Sequence, residues 1–491
     1  MQSEAGKIQD VVIVGAGISG IGTAYWLQEK CPNKEYIILE GRESIGGTWD
    51  LFRYPGVRSD SDMFTFGYKF KPWKEPKALS DGASIRKYLT EVIQENGIDK
   101  KIHYGHKVVS ADWSSEEKHW TLDVKTKEKS IQIKARFLYM CTGYYDYKEA
   151  HRPRFDGEEN YRGDILQPQF WPEGYNYKGE KVVIIGSGAT AVTLVPAMSD
   201  DAAHVTMLQR SPTYIMNLPN NSDLFFTLKK VMPESWAYKI TRRRNIILNI
   251  LIFWLCRTFP SGMKKLFMKG AASQLPEGYD VDKHFNPKYK PWDQRLCVVP
   301  DGDLFETIKE GKASVITEQV DQFDANGIVL QSGESLEADV IVVATGLKIK
   351  ILGGAEIKVD GKVIDPKESM VYKGMMISGI PNFAIAFGYT NAPWTLKTDL
   401  TANYMCKLIN HMDKKGYRTV IPRKDPSMEV IPFLNINSGY VERAQNILPQ
   451  QGAKRPWRVY QNYFKDMMAT RFGKIEDDFL EFGPKIEKYA T

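Results

Sequence analysis

The sequence lacks the features that mark metal sites and disulfide-bonded proteins. Its five cysteines are scattered, odd in number and without a Cys-x-x-Cys pair, and its seven histidines form no metal-ligand pattern. This distribution argues against a disulfide framework, a dithiol redox pair and a zinc site. It predicts a cytoplasmic protein in a reducing setting, without a bound metal.

Long apolar runs are also missing, since no segment approaches the roughly 20 residues that a membrane span requires. The most apolar segment, residues 246–256, is interrupted by Asn249 and follows the basic run Arg242 to Arg244. A basic cluster beside an apolar helix can contact a membrane surface, so weak peripheral contact through residues 242–256 is one interpretation. We favour another, in which this helix forms a buried wall of a substrate cavity. The first strand-like run starts at Val11, and we therefore expect no signal peptide.

Charge and composition exclude further classes of protein. The net charge of +6 is small for 491 residues, so nucleic-acid binding has no support. Hydrophobic residues make up 43% and charged residues 26%, which is typical of globular proteins and argues against disorder or a fibrous structure. A chain of this length is expected to form two or three domains.

What the chain does contain is the dinucleotide-binding fingerprint, in two copies. The first is Gly15-Ala16-Gly17-Ile18-Ser19-Gly20 and the second is Gly186-Ser187-Gly188-Ala189-Thr190-Ala191. Each follows an apolar strand-like run and opens a helix-like stretch. Glycine permits the tight turn and lets backbone N–H groups approach a pyrophosphate, while the helix N-terminus adds its positive dipole end. Two nucleotide cofactors on one chain indicate electron transfer between them.

The residues after each fingerprint predict different nucleotides. Glu40 ends an apolar run after the first copy, where a carboxylate can accept hydrogen bonds from both ribose hydroxyls, and this predicts FAD or NAD. After the second copy stand Gln209, Arg210 and Ser211, with no carboxylate and a cation where a ribose 2′-phosphate would lie. That arrangement favours NADP(H).

A repeated turn indicates how the two cofactor domains are connected. Residues 138–143 and 341–346 each close an apolar strand on a small residue followed by Thr-Gly. Such paired turns are expected at the crossing points of a fold in which one domain is inserted into another. We therefore predict an α/β fold of two nested Rossmann-like dinucleotide-binding domains with a helical insertion. The expected ranges are 1–146 and 347–491 for a discontinuous FAD-binding domain, 147–346 for the NADP-binding domain and 220–290 for the insertion.

Beyond the fingerprints, four segments follow one known family pattern. They are residues 46–49, 53–60, 161–172 and 291–297. Together with the fingerprints they resemble the class B flavin monooxygenases, and within these the type I Baeyer–Villiger monooxygenases. The resemblance is collinear over nearly the whole chain and is nearest to the ethionamide-activating monooxygenase group.

The resemblance implies a monooxygenase that uses FAD and NADPH. In such an enzyme NADPH reduces FAD, the reduced flavin captures O₂ as a C4a-peroxyflavin, and this inserts oxygen beside a ketone carbonyl to give an ester or lactone. Small to medium apolar ketones are the expected substrates, and thioethers or thioamides would be oxidised at sulfur. Two alternatives stay open: an N- or S-oxygenating flavin monooxygenase with little ketone activity, and a flavin-binding module with impaired turnover.

The resemblance also implies roles for single residues. Arg295 is the expected catalytic residue, because a guanidinium stays cationic and can stabilise the negative charge that develops during oxygen insertion. Asp60 is the second expected catalytic residue: it would orient Arg295 through a charge-assisted hydrogen bond and lie near the nicotinamide. The residues expected to bind FAD are Gly15, Gly17, Ser19, Gly20, Glu40, Gly47, Thr48, Trp49 and Val108. Those expected to bind NADPH are Asp60, Gly186, Gly188, Ala189, Thr190, Ala191, Arg210 and Ser211.

Three positions depart from the family pattern. Tyr161 replaces the usual Phe, Gln167 stands where the family signature has His, and Gln294 occupies the place of a lysine that often helps to hold the 2′-phosphate. An amide can replace the hydrogen bonds of the histidine but cannot ionise. The coupling of NADPH oxidation to oxygenation is therefore open, and NADPH preference rests mostly on Arg210.

Overall fold

The computed structural model describes residues 7–434 and 437–485. Its strands, in chain order, are β1 (Ile8–Val14), β2 (Tyr36–Leu39), β3 (Ile102–His103), β4 (Lys107–Ser114), β5 (His119–Lys125), β6 (Ser130–Met140), β7 (Asp164–Leu166), β8 (Lys181–Ile185), β9 (His204–Gln209), β10 (Ile215–Leu218), β11 (Cys297–Pro300), β12 (Ala313–Thr317), β13 (Val320–Phe323), β14 (Gly327–Leu330), β15 (Ser335–Glu337), β16 (Val340–Val343), β17 (Glu356–Val359), β18 (Lys362–Val363), β19 (Val371–Tyr372), β20 (Met376–Ile377), β21 (Phe383–Ile385), β22 (Tyr417–Pro422), β23 (Val430–Pro432), β24 (Gln450–Gly452) and β25 (Leu480–Lys485).

The α-helices lie on the surfaces of the sheets or in the connection between β10 and β11. They are α1 (Ile18–Lys30), α2 (Thr48–Leu51), α3 (Met63–Phe66), α4 (Gly82–Glu95), α5 (Ala189–Met198), α6 (Asp223–Lys229), α7 (Glu234–Thr258), α8 (Pro260–Ala272), α9 (Val281–Phe285), α10 (Asp303–Lys309), α11 (Trp394–Lys415), α12 (Gly439–Glu442) and α13 (Tyr463–Phe472).

The first large sheet has the strand order β18-β17-β4-β5-β6-β1-β2-β3, and β21 also pairs with β6. Its centre is parallel, because β1 pairs with both β2 and β6 in parallel register. Residues 11–14 and 36–39 are buried on both faces of this sheet, as continuous apolar runs in parallel strands usually are. The strands β17, β18 and β21 come from the C-terminal part of the chain and so rejoin the sheet that β1 begins.

The second large sheet has the order β12-β9-β8-β16-β7, and all its pairs are parallel. Helix α5 follows β8 in the same way that α1 follows β1. Two parallel sheets, each with a glycine-rich turn and a helix after a central strand, confirm the predicted α/β fold with two Rossmann-like units. The domain boundaries stay a prediction, which the strand membership of the two sheets supports.

Each glycine-rich turn packs against the small-Thr-Gly turn of its own sheet. Gly15 has φ +104°, and a Cβ there would lie 2.6 Å from the carbonyl oxygen of Cys141. Gly186 has φ +142°, and a Cβ there would lie 2.4 Å from the carbonyl oxygen of Ala344. Both positions therefore require glycine, for its positive φ and for the close approach of another backbone.

The two segments that connect the units pair with each other. Tyr145 and Ile349 form an antiparallel bridge, the Asp146 amide donates to the carbonyl of Lys348 over 2.8 Å, and the Lys350 amide donates to the carbonyl of Tyr144 over 3.0 Å. The chain thus leaves the first unit and returns to it at the same place.

The predicted helical insertion contains α6 to α9. One side of α7 is anchored to α3: Arg242 Nη1 donates to the carbonyls of Phe64 and Gly67 over 2.7 and 2.8 Å, and Asn245 donates to Asp62 over 2.9 Å. Within the described residues no single helix is long and apolar enough to cross a membrane, and α7 and α8 pass that test only as a pair bent by 115°.

Our interpretation of residues 246–256 as a buried cavity wall is wrong. Ile246 and Cys256 are buried, but Ile247, Leu251 and Trp254 between them are about half exposed. The reason is that α7 packs on the protein with one side only, so the apolar residues on its other side have no neighbour to cover them.

Candidate active site

A cavity of about 560 Å³ opens at the carboxyl ends of β1 and β2, where the two units meet. Ligands of parallel α/β sheets bind at such an edge. The predicted site residues that line it are Gly15, Gly17, Ser19, Glu40, Gly47, Thr48, Trp49, Asp60, Val108, Ala189, Thr190 and Arg295. The other predicted residues, Gly20, Gly186, Gly188, Ala191, Arg210 and Ser211, lie outside its lining.

The first glycine-rich turn forms a cradle that a side chain would fill. A Cβ on Gly20 would lie 1.9 Å from the carbonyl oxygen of Gly15, so Gly20 packs behind the turn and lets α1 approach it. Gly17 is the N-cap residue of α1 and, as a glycine, has no side chain to accept from the first N–H groups of the helix. It also lines the cavity. The first N–H groups of a helix have no intrahelical partners, so this end of α1 suits a pyrophosphate. The turn therefore fits the nucleotide that its sequence predicts.

Glu40 is fixed by backbone donors on both of its oxygens. The Ala16 amide donates to Oε2 over 2.7 Å and the Arg42 amide donates to Oε1 over 2.9 Å. Burial raises the pKa of this carboxyl, and the two amide hydrogen bonds oppose that shift. Each oxygen keeps a further lone pair, and the side chain lines the cavity, as a ribose-binding carboxylate requires.

A buried carboxylate that sequence reasoning missed holds the loop before Thr48 and Trp49. Asp50 is 3% exposed and forms ion pairs with Arg42, Arg53 and Arg86. Burial alone would raise its pKa, but hydrogen bonds from Ser44 and Arg86 and the neighbouring arginine charges lower it. The signal was present, since Asp50 directly follows the Gly-Gly-Thr-Trp segment.

The second glycine-rich turn is open to solvent. A Cβ on Gly188 would meet no atom within 4 Å, and Gly188 caps α5 without a side-chain hydrogen bond. Ser187 Oγ donates to the carbonyl of Ser211 over 3.0 Å, which links this turn to the end of β9. The Gln209 side chain points inward and donates to the carbonyl of His284 over 2.7 Å, whereas Arg210 is exposed. The Arg210 side chain therefore lies outside the core, on the side of the second glycine-rich turn that is open to solvent.

Arg295 and Asp60 come together in the cavity from distant parts of the chain. Arg295 Nη2 lies 3.5 Å from Asp60 Oδ2, and the two side chains are 38% and 32% exposed. The predicted charge-assisted hydrogen bond is not formed at this distance, and the contact is an ion pair. The charge of Asp60 raises the pKa of Arg295, and burial opposes it less strongly. The guanidinium therefore stays cationic in an accessible position.

Three tyrosines around this ion pair were not foreseen. Tyr144, Tyr145 and Tyr440 line the cavity and interact with Arg295. The hydroxyls of Tyr144 and Tyr145 are 2.8 Å apart, and burial raises the pKa of Tyr145 to about 12. Tyr144 and Tyr145 directly follow the Thr-Gly turn at 142–143, so their position was a usable signal. Tyr440 comes from a remote segment and carried none.

The polar, aromatic turn before α11 also reaches the cavity. Thr390, Ala392 and Trp394 line it. Trp394 stacks on Tyr144 with ring centroids 5.2 Å apart, and its Nε1 donates to Ser19 Oγ over 2.8 Å. This turn therefore joins the first glycine-rich turn to the tyrosines around Arg295.

Gln167 lies directly after β7, at the carboxyl edge of the second sheet. Its Nε2 is buried and has no hydrogen-bond partner among the described residues. A buried amide without a partner is costly, so this nitrogen is suited to a ligand atom or to a change of conformation. Neighbouring Gln169 is only partly satisfied: its Nε2 donates to the carbonyl of Asp146 over 2.6 Å in the connecting segment, whereas its buried Oε1 has no partner among the described residues.

Comparisons with known proteins indicate the same class of protein as the site does, an oxidoreductase with nucleotide cofactors. A family model described as pyridine nucleotide-disulphide oxidoreductase matches residues 12–229. Over 475 residues the chain is 50% identical to the FAD-containing monooxygenase EthA of Mycolicibacterium smegmatis, a match that covers 96% of each protein.

Solved structures show the same fold over nearly the full length. An oxidised steroid monooxygenase bound to NADP matches with a TM-score of 0.75 at 19% identity, over 97% of this chain and 99% of that chain. A cyclohexanone monooxygenase bound to ε-caprolactone matches with a TM-score of 0.74 at 18% identity, over 97% of this chain and 100% of that chain.

Proposed function

Since this chain belongs to the FAD-containing, class B flavin monooxygenases, we propose that it inserts one oxygen atom of O₂ into apolar ketones to give esters or lactones. It uses FAD and NADPH as its cofactors. The observation that carries the proposal is the pairing of Arg295 with Asp60 in the cavity between the two glycine-rich turns. Enzymes of this class also catalyse other oxygenation reactions, so class membership alone does not indicate ketone oxidation. A fixed cation beside the cavity favours ketone oxidation in particular.

Bound FAD supplies the electron transfer and oxygen activation that protein side chains cannot provide. The chain's part is to bind and orient it. We assign the pyrophosphate to the turn at Gly15 and Gly17, the ribose to Glu40, and the flavin ring to the wall formed by Thr48 and Trp49. The cradle at Gly15, the two amide hydrogen bonds that orient Glu40 and the position of Thr48 and Trp49 in the cavity support this assignment.

Arg295 acts through its charge. When a ketone carbonyl carbon becomes tetrahedral, negative charge develops on its oxygen, and a fixed cation stabilises that charge. Asp60 holds the guanidinium at the cavity, and Tyr144 and Tyr145 line the cavity and interact with it. Oxidation at sulfur or nitrogen instead needs an electrophilic oxygen and gains nothing from this cation.

The first experiment measures NADPH consumption by the purified FAD-loaded protein, with and without a linear aliphatic ketone, and identifies products by mass. We expect an ester one oxygen atom heavier than the ketone. A parallel assay with an aryl methyl thioether tests the alternative. Sulfoxide without ester would overturn ketone oxidation in favour of heteroatom oxidation, and hydrogen peroxide with neither product would mean uncoupled turnover, as Gln167 permits.

Replacing Arg210 by alanine should weaken the preference for NADPH. We assign Arg210 to the 2′-phosphate, so its removal should raise the KM for NADPH by about 10- to 100-fold and leave the KM for NADH nearly unchanged. Both are obtained from steady-state oxidation of the two nucleotides. Lys312→Ala is the matched control, because Lys312 is an exposed cation beside the same sheet and pairs with Asp200. Equal changes in both KM values for Arg210→Ala would contradict the assignment.

A further inference from the structure

The helical insertion carries a row of large apolar side chains that no other part of the described chain covers. On α7 these residues, with their exposed fractions, are Trp236 (59%), Ile240 (38%), Ile247 (51%), Leu251 (44%) and Trp254 (52%). With 3.6 residues per turn, their spacing places them within an arc of about 60° on one side of the helix. Phe259 at the bend and Leu266 on α8 extend the row, with 57% and 59% exposed. We call these seven residues the exposed face.

The exposed face is larger than scattered surface apolar residues explain. A monomeric protein seldom leaves a contiguous group of large hydrophobic side chains uncovered, and such groups usually mark contact with a partner or a membrane. The ring centroids of Trp254 and Phe259 are 5.9 Å apart in an edge-to-face contact, so the row continues across the bend between the helices.

The charge around the exposed face is strongly positive. Residues 223–272 contain ten Lys and Arg against two Asp and Glu, a net charge of +8, whereas the whole chain has only +6. The rest of the protein is therefore slightly negative. Lys239, Arg243 and Arg244 on α7 and Lys265 and Lys269 on α8 are exposed beside the apolar row.

We propose that the exposed face docks on the surface of an anionic lipid bilayer, with α7 lying in the interface plane. A helix with a tryptophan near each end, apolar residues between them and flanking Lys and Arg is the pattern of interfacial membrane helices. The positive charge complements anionic headgroups. A second copy of the chain is a poorer occupant, because pairing two such faces would bring two strongly positive surfaces together.

Docking leaves the fold of α7 intact. The side that anchors the helix holds Tyr238, Arg242, Asn245 and Ile246, and it lies opposite the exposed face. Arg242 is buried against the backbone of α3, and Asn245 donates to Asp62. The helix can therefore enter the interface while it stays attached to the protein, and this inference does not depend on the reaction proposed above.

Co-sedimentation of the full-length, FAD-loaded protein with vesicles tests the proposal. One set of vesicles is phosphatidylcholine alone and the other is equal parts phosphatidylcholine and phosphatidylglycerol. We expect binding to the anionic vesicles that falls as salt is raised, and weak binding to the neutral ones. The double variant Leu251→Ser, Trp254→Ser should lose about tenfold or more in partitioning. Arg243→Gln, Arg244→Gln should bind more weakly and with a smaller salt dependence.

The matched control is Val363→Ser, which removes a side chain that is 51% exposed on β18, the outermost strand of the first large sheet. It should bind like the parent protein, and retained FAD absorbance verifies that each variant is folded. Failure to bind anionic vesicles, or unchanged binding by the double variant, would overturn the proposal. Self-association in the absence of lipid, lost in the double variant, would identify a second copy as the occupant instead.

Discussion

Arg295→Ala is expected to reduce ester formation by about 10²- to 10³-fold or more while NADPH still reduces the bound flavin. The side chain is the cation nearest the reacting carbonyl in our proposal, and its described ion pair is with Asp60 and not with either glycine-rich turn. Flavin bleaching by NADPH without oxygen measures the reductive half of the cycle, and product mass measures the other half. A loss confined to the second half is the result that assigns Arg295 to oxygen transfer.

Two further variants serve as controls for this interpretation. Arg295→Lys keeps a positive charge but loses the planar donor set, so it should retain more ester formation than alanine. Arg423→Ala removes an arginine that is ion-paired with Glu481 and lies outside the lining of the cavity, and it should leave both half-reactions unchanged. Full ester yield from Arg295→Ala would show that another group stabilises the developing charge.

Gly20→Ala should yield a colourless and less stable protein. The added Cβ would lie 1.9 Å from the carbonyl oxygen of Gly15, so α1 and the turn must move apart. Overpacking of this kind costs about 1–3 kcal/mol of unfolding free energy, and the displaced turn can no longer hold a pyrophosphate. Bound FAD is measured by its absorbance and stability by thermal unfolding of the apo and FAD-supplemented forms.

Gly262→Ala is the control for backbone effects. Gly262 lies in α8, and a Cβ there would meet no atom within 4 Å. Because alanine favours helix over glycine, this variant should gain up to about 1 kcal/mol and keep its FAD. An unchanged FAD content and melting temperature in Gly20→Ala would show that the turn can yield without losing its ligand.

The parts of the fold that could be predicted are those that short stretches of sequence determine. The turns at Gly15 and Gly186 are each recognisable from the strand directly before them and the helix directly after them, and the Thr-Gly turn is recognisable from the strand that it closes. Their strand, turn and helix follow from local pattern alone. The residues assigned to the cofactors and the domain boundaries stay predictions, which the experiments above address.

What could not be predicted depends on contacts between remote segments. Apart from Asn249, residues 246–256 are all apolar, so the sequence could not tell which side of α7 would be covered. The tyrosines around Arg295 are assembled from the segment at 144–145 and from Tyr440, nearly 300 residues apart. The distance between Arg295 and Asp60 could not be predicted either, because the expected hydrogen bond proved to be a longer ion pair.

The antiparallel pairing of Tyr145 with Ile349 has a consequence for how such proteins diversify. Because the inner unit begins and ends at adjacent points, it can be cut out or exchanged without breaking a strand of the outer sheet. Recombination at these two points would transfer the whole inner unit, with its helical insertion, between relatives. The outer unit would keep its strands, but the new insertion would have to match the contacts that Arg242 and Asn245 make with the α3 segment.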